Sequence, residues 1–270
     1  MSWLIGREPV SAWTHGAWML ISLPASYVLW RLSRGDGLKR VGMAIFGLGL
    51  VACFGGSWLY HSAPLPERDL DWFARFDYIG IYLLIASSAT PIGLTILCGR
   101  WRLGLLTTLW TLALTGIVLQ LTGVELPAAA GTCLYLAMGW VGCVTYFELA
   151  RCLSHRALCP LWIGGLFYSI GALAYLFQWP TLAPGAFGNH ELFHVLVMLG
   201  SLAHYYFMLV TVLPYVRPRP ALAVVAQPAE SSYLTHPLQN SASGVAQAPR
   251  MLARGLRKRP EEECQGLGDW

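Results

Sequence analysis

Seven apolar runs, each about as long as a bilayer's hydrocarbon core is thick, decide most of what this chain can fold into. They lie at about residues 11–31, 41–62, 77–97, 103–122, 131–150, 160–178 and 190–214, and a helix needs roughly 17–25 residues to cross. In lipid, every backbone N–H and C=O has to be bonded within the segment, so the runs are expected as helices. The composition agrees: 56% of the 270 residues are hydrophobic and 12% are charged, about half the charge of a soluble domain, which runs near 25%. The expectation is an all-α, seven-transmembrane helix bundle over 11–216, with a short segment 1–10 before it and a tail 217–270 behind it.

The first run has only Arg7 as a basic lead-in and no small-residue cleavage site, so a removable signal peptide is not expected. The seven cysteines sit mostly in or at the ends of runs and read as small packing residues, not as a disulfide framework. No nucleic-acid partner is expected.

Seven helices leave the termini on opposite sides, and the loop charges choose between them. Arg31, Arg34, Lys39, Arg40, Arg100, Arg102, Arg151, Arg156, Arg217 and Arg219 fall on one side, against Arg7, Arg68 and Arg75 on the other, ten to three. The positive-inside rule then predicts an outer amino terminus and a cytoplasmic carboxyl terminus. From about residue 217 the chain becomes rich in Pro, Ala, Ser and Gln, a composition that cannot bury a core and is expected to be disordered. Its later stretch "RMLARGLRKR" reads as a solvated charge run or as a short basic helix drawn to anionic lipid.

Ionisable groups inside apolar runs cost free energy and mark function. "GSWLYHSAP" closes the second run with Ser57 and His61, about 40° around and roughly 6 Å along one helix face. "RFDYIGIYLL" opens the third run with Asp77, and "GNHELFHVLVMLGSLAHYYF" opens the seventh with His190 and His194. Antiparallel connectivity brings these three places, and His15 in the first run, to one membrane level. Three imidazoles from His61, His190 and His194 suit a tetrahedral zinc site with one open position. Asp77 is the group to hold or deprotonate a water activated there.

"HELFH" is also the H-E-x-x-H spelling of a zinc protease helix, in which Glu191 would be the base. His15 and His204 read as hydrogen-bonded structural residues, His204 lying roughly 15 Å deeper than His194. Ser57 by itself reads as a back-bonded hydroxyl. Cys152, His155 and Cys159 in "CLSHRALC" lack a fourth partner nearby and are not read as ligands.

"SWLYHSAP", "RFDYIGIYLLIASSATP", "LYLAMGW", "HELFHVLVMLGSLAHYYF" and the "THG" of residues 14–16 resemble, in order and spacing, the signature segments of the hemolysin III and progestin and adipoQ receptor family. The resemblance covers about residues 10–214. It implies a seven-helix bundle with zinc held by His61, His190 and His194, and Ser57 and Asp77 match the family's accompanying serine and aspartate. It also makes Glu191 incidental, because the family varies there. Adiponectin-receptor members are associated with ceramide hydrolysis, and bacterial members carry a hemolysin name linked to membrane lysis. Those receptors are held to have a cytoplasmic amino terminus and a zinc site near the cytoplasm, whereas the loop charges here place the histidines outside.

The expectation is a zinc-dependent hydrolase of a lipid amide or ester, with a membrane lipid such as a ceramide as substrate. The alternative is a non-catalytic receptor or lytic membrane protein whose zinc is structural.

Overall fold

Five stretches of the chain fold as helices longer than the apolar runs that drive them, and at two of them a polar side chain caps the start. In the computed structural model, which describes residues 7–124, 126–184 and 187–217, α1 spans Pro9–Leu32, α2 Gly37–Ser62, α3 Asp71–Thr95 and α4 Gly99–Thr122. They are followed by α5 (Ala128–Val144), α6 (Tyr146–Cys152), α7 (His155–Leu176) and α8 (Asn189–Phe207), which runs on as a π-helical turn, Met208–Val212. Asp36 starts α2 by accepting from Lys39 N, and Ser154 starts α7 by accepting from Ala157 N. Each side chain satisfies one of the helix's orphan donors.

Helices α2, α3, α4, α7 and α8 with its π-turn are long and apolar enough to cross a membrane. The expected span 131–150 is two helices, α5 and α6, bent by 41° at their break; counted together they make a sixth. The bend falls at Thr145, whose hydroxyl bonds back to Gly142 O at 2.7 Å and competes with the helical ladder. The first expected span, α1, has 24 residues, long enough to cross, but its Trp, Thr, His, Ser and Tyr residues leave it outside the set apolar enough to count as a span. The protein is therefore a multi-pass, all-α integral membrane protein, with five to six candidate spans among the described residues. The chain divides into two units, 1–217 and 218–270. The expected disordered tail and its basic stretch lie, from 218 on, outside the described residues.

Between α2 and α3 the packing is set by missing side chains. Gly42, Gly49 and Gly56 recur every seven residues along α2 and meet Pro91, Ser87 and the Phe76 carbonyl of α3. From the other side Gly80 faces Cys53: a Cβ at Gly80 would stand 2.6 Å from Cys53 Cα, and one at Gly56 would stand 2.7 Å from Phe76 O. Small residues permit this backbone approach in membrane helices, where van der Waals packing rather than water exclusion drives association. The seam fixes the end of α2 beside the start of α3. At the far end of the bundle, Lys39 is buried and donates to Leu213 O and Tyr215 O at 2.7 and 2.8 Å. There Arg217 donates to Leu94 O and Thr95 O, both at 3.0 Å.

Candidate metal centre

His61 is the penultimate residue of α2, where backbone carbonyls have no partner within the helix. Its carbonyl instead accepts from the backbone N–H groups of Arg7 and Glu8, at 3.1 and 3.2 Å. At the start of α8, Glu191 Oε2 accepts from Gly188 N at 2.8 Å. This half of a capping box, the half a glycine N-cap allows, ties down the first turn and leaves His190 and His194 one turn apart on one face, ring centroids 4.5 Å apart.

The two helix ends bring three imidazoles together. His61 Nε2 stands 3.4 Å from His190 Nε2, and the His61 and His194 rings are 4.8 Å apart. One nitrogen from each of the three lies within 4.8 Å of the other two, close enough to hold a metal ion. His61 and His194 are buried, and His194 Nδ1 has no hydrogen-bond partner among the described residues. A buried, unpartnered ring nitrogen is costly, and a metal would relieve that cost.

Asp77 Oδ2 lies 3.8 Å from His61 Nε2. Ser57 is beside Asp77, and its buried hydroxyl has no partner of good hydrogen-bond geometry. Both line a cavity of about 530 Å³, together with His15, His190 and His194. From there the cavity runs between α3, α5, α7 and α8, past Tyr168 and His204, toward Leu158, with mostly aliphatic and aromatic walls.

Of the residues singled out from the sequence, Ser57, His61, Asp77, His190 and His194 converge, and His204 does not. His204 is buried deep in α8 and contacts Leu161 O at 3.3 Å, the structural part expected of it. His155 pairs with the Tyr146 hydroxyl at 2.6 Å, away from the cluster. Glu191 caps a helix, consistent with an incidental place in "HELFH".

Glu8 went unread in the sequence, and His15 was placed at the level of the site only as a structural residue. His15, expected to be hydrogen-bonded, lies against the His194 backbone but finds no partner of good hydrogen-bond geometry for either ring nitrogen among the described residues. Its ring stacks on His194, centroids 3.8 Å apart and planes 13° off parallel, with its other flank on the edge of Phe54. Glu8, just before α1, reaches His61 Nδ1 with Oε2 at 2.9 Å. That hydrogen bond holds the Glu8 carboxyl below its usual value, against the opposing effect of burial. No periodic or spacing signal marks Glu8, because the contact joins residues 53 apart in the chain.

A family model described as "Haemolysin-III related" matches residues 3–205. The chain is 32% identical over 216 residues to "Hemolysin-3" of Bacillus cereus, covering 79% of this chain and 95% of that one. It is 31% identical over 207 residues to "Hemolysin-3 homolog" of Bacillus subtilis (strain 168), with coverages of 76% and 94%. A plant protein is also similar, "Heptahelical transmembrane protein ADIPOR2" of Oryza sativa subsp. japonica, at 28% over 187 residues, 63% of this chain and 82% of that one.

Proposed function

The chain belongs to the Haemolysin-III related family, and from that premise we propose that it is a zinc-dependent hydrolase of a lipid amide or ester, ceramide-like in kind. One observation carries the reading: two imidazoles of the three-histidine cluster, His190 and His194, line a long apolar cavity together with the Asp77 carboxylate, and the third, His61, stands within reach of all three.

Zinc fits the donor set. Two nitrogens each 2.0–2.1 Å from a tetrahedral zinc stand about 3.4 Å apart, the separation of His61 Nε2 and His190 Nε2. The third imidazole would have to close in from within 4.8 Å. His61, His190 and His194 would hold the ion, and three protein ligands leave a position open, as catalytic zinc requires. Zinc supplies Lewis acidity there, acidifying water and polarising a carbonyl oxygen.

The rest of the chemistry falls to the chain's own groups. Asp77 accepts the proton of the attacking water and passes it to the leaving amine or alcohol. Ser57 orients Asp77 through its hydroxyl. The cavity takes the acyl chain and keeps bulk water from the reacting carbonyl. The loop charges favour placing this site toward the outer face, with the carboxyl terminus in the cytoplasm.

A second reading, a receptor or lytic protein with structural zinc, is favoured by the Hemolysin-3 names of the bacterial relatives. Metal analysis of the purified full-length chain, paired with hydrolysis assays across ceramides and other lipid amides and esters, separates the two. We expect one zinc per chain and a turnover that is lost on metal removal and restored by zinc. Bound zinc with no turnover on any of these lipids would reject the hydrolase and leave the second reading.

A further inference from the structure

We propose that Glu8 is a positioning residue for the metal centre: its carboxylate fixes the tautomer and orientation of His61, and so sets the affinity of the site for metal. The inference rests on reading the three histidines as metal ligands.

The carboxylate has two oxygens with two different tasks. Oε2 is 2.9 Å from His61 Nδ1, and Oε1 is 3.1 Å from the Arg7 guanidinium. A carboxylate can only accept, so the Nδ1 facing it carries the proton. The free lone pair of His61 is then on Nε2, the nitrogen that faces His190 Nε2 at 3.4 Å and Asp77 at 3.8 Å. That is the tautomer a metal ligand needs at this nitrogen. A ligating histidine whose other nitrogen donates to a carboxylate is held in orientation and made more basic.

The chain around Glu8 is built to keep this contact. The Arg7 and Glu8 N–H groups both bond the His61 carbonyl, so main chain and side chain grip the same residue. The Arg7 guanidinium lies over the neighbouring Tyr60 ring, 4.7 Å from its centroid. Among the described residues no comparable carboxylate serves the other two ligands: Glu191 is engaged with Gly188 N, and His194 has the His15 ring against its face.

The test is a series at one position in the full-length protein, read by zinc affinity in competition with a chelator and by ¹⁵N-histidine NMR of the metal-free form. Glu8→Ala removes the acceptor, Glu8→Asp keeps the charge but shortens the reach, and Glu8→Gln keeps an acceptor without the charge. Zinc affinity should fall about 10- to 100-fold in Glu8→Ala, the usual cost of losing such a partner. It should fall nearly as far in Glu8→Asp and least in Glu8→Gln. The His61 signal, assigned by its loss in His61→Gln, should report an Nδ1–H tautomer in wild type and Glu8→Gln, and shift toward Nε2–H in Glu8→Ala.

A purely structural role would lower thermal stability without moving the tautomer or ordering the affinities. If Glu8→Ala does not fold, the Asp and Gln variants carry the test, and equal zinc affinity in the two overturns the inference. Unchanged affinity and tautomer in Glu8→Ala overturn the role of Glu8 while leaving the metal site standing. A wild-type protein that takes up no zinc overturns the metal reading itself, and this inference with it.

Discussion

Gly80→Ala should damage the site without touching it. The new Cβ would stand 2.6 Å from Cys53 Cα, whereas carbon atoms in relaxed contact are about 3.5–4.0 Å apart. The obstructing atom is backbone, so no rotamer change relieves the clash, and α2 and α3 have to part by about 1 Å. Overpacking of this kind costs about 1–3 kcal/mol. Asp77 lies less than one helical turn before Gly80, and Ser57 about one turn after Cys53, so the parting acts where these two groups meet. A displacement of about 1 Å in a reacting group costs on the order of 10²-fold in rate.

The proposed zinc ligands sit on α2 and α8, not α3, so Gly80→Ala should keep its metal while losing turnover. The control is Gly104→Ala in α4, where a Cβ meets nothing within 4 Å; there alanine should be neutral or stabilising by about 0.5–1 kcal/mol. Reversible unfolding in detergent micelles, zinc content and lipid hydrolysis would be measured on both. Gly80→Ala as stable and as active as Gly104→Ala would refute the close seam and its link to the site.

His61→Ala, His190→Ala and His194→Ala should each lower zinc content sharply, since two imidazoles do not complete the shell, while His204→Ala should retain it; full occupancy in His61→Ala, by elemental analysis, would remove the third ligand. Asp77→Asn should keep zinc and lose hydrolysis by roughly 10²- to 10⁴-fold. Glu191→Gln, which still offers an acceptor to Gly188 N, should be nearly silent; the reverse outcome at equal zinc occupancy would make Glu191 the base. Single cysteines placed in the segment before α1 and near Arg217 should react with a membrane-impermeant maleimide on intact cells only at the former. Labelling of the latter alone would invert the orientation read from the loop charges.

What the sequence made legible were features that repeat or that connectivity forces. Long apolar runs announce helices because lipid offers the backbone no other partner. Alternating direction puts the ends of α2, α3 and α8 at one level, so the meeting of His61, Asp77, His190 and His194 needs no knowledge of packing. Helix ends were less visible: α2 begins at Gly37, not near 41, because Asp36 caps it in the polar interface. The break at Thr145 was invisible, since apolar content continues through it while hydrogen bonding does not. Glu8 and the stacking of His15 on His194 were missed for a different reason. Glu8 lies in no apolar run, and the partner of His15 is another ring stacked against it, a contact without sequence periodicity.

The buried Lys39 and the nearby Arg217 give the bundle a load path. A pull on the chain beyond Arg217 meets four hydrogen bonds first: Lys39 to Leu213 and Tyr215, and Arg217 to Leu94 and Thr95. These anchors tie the last helix to the beginning of α2 and the end of α3. His190 and His194 sit at the other end of α8 and its π-turn, 23 and 19 residues before Leu213, about 29–35 Å at 1.5 Å per residue. Force, cargo or a fused reporter attached behind Arg217 is borne first by these anchors, at the end of the bundle away from His190 and His194.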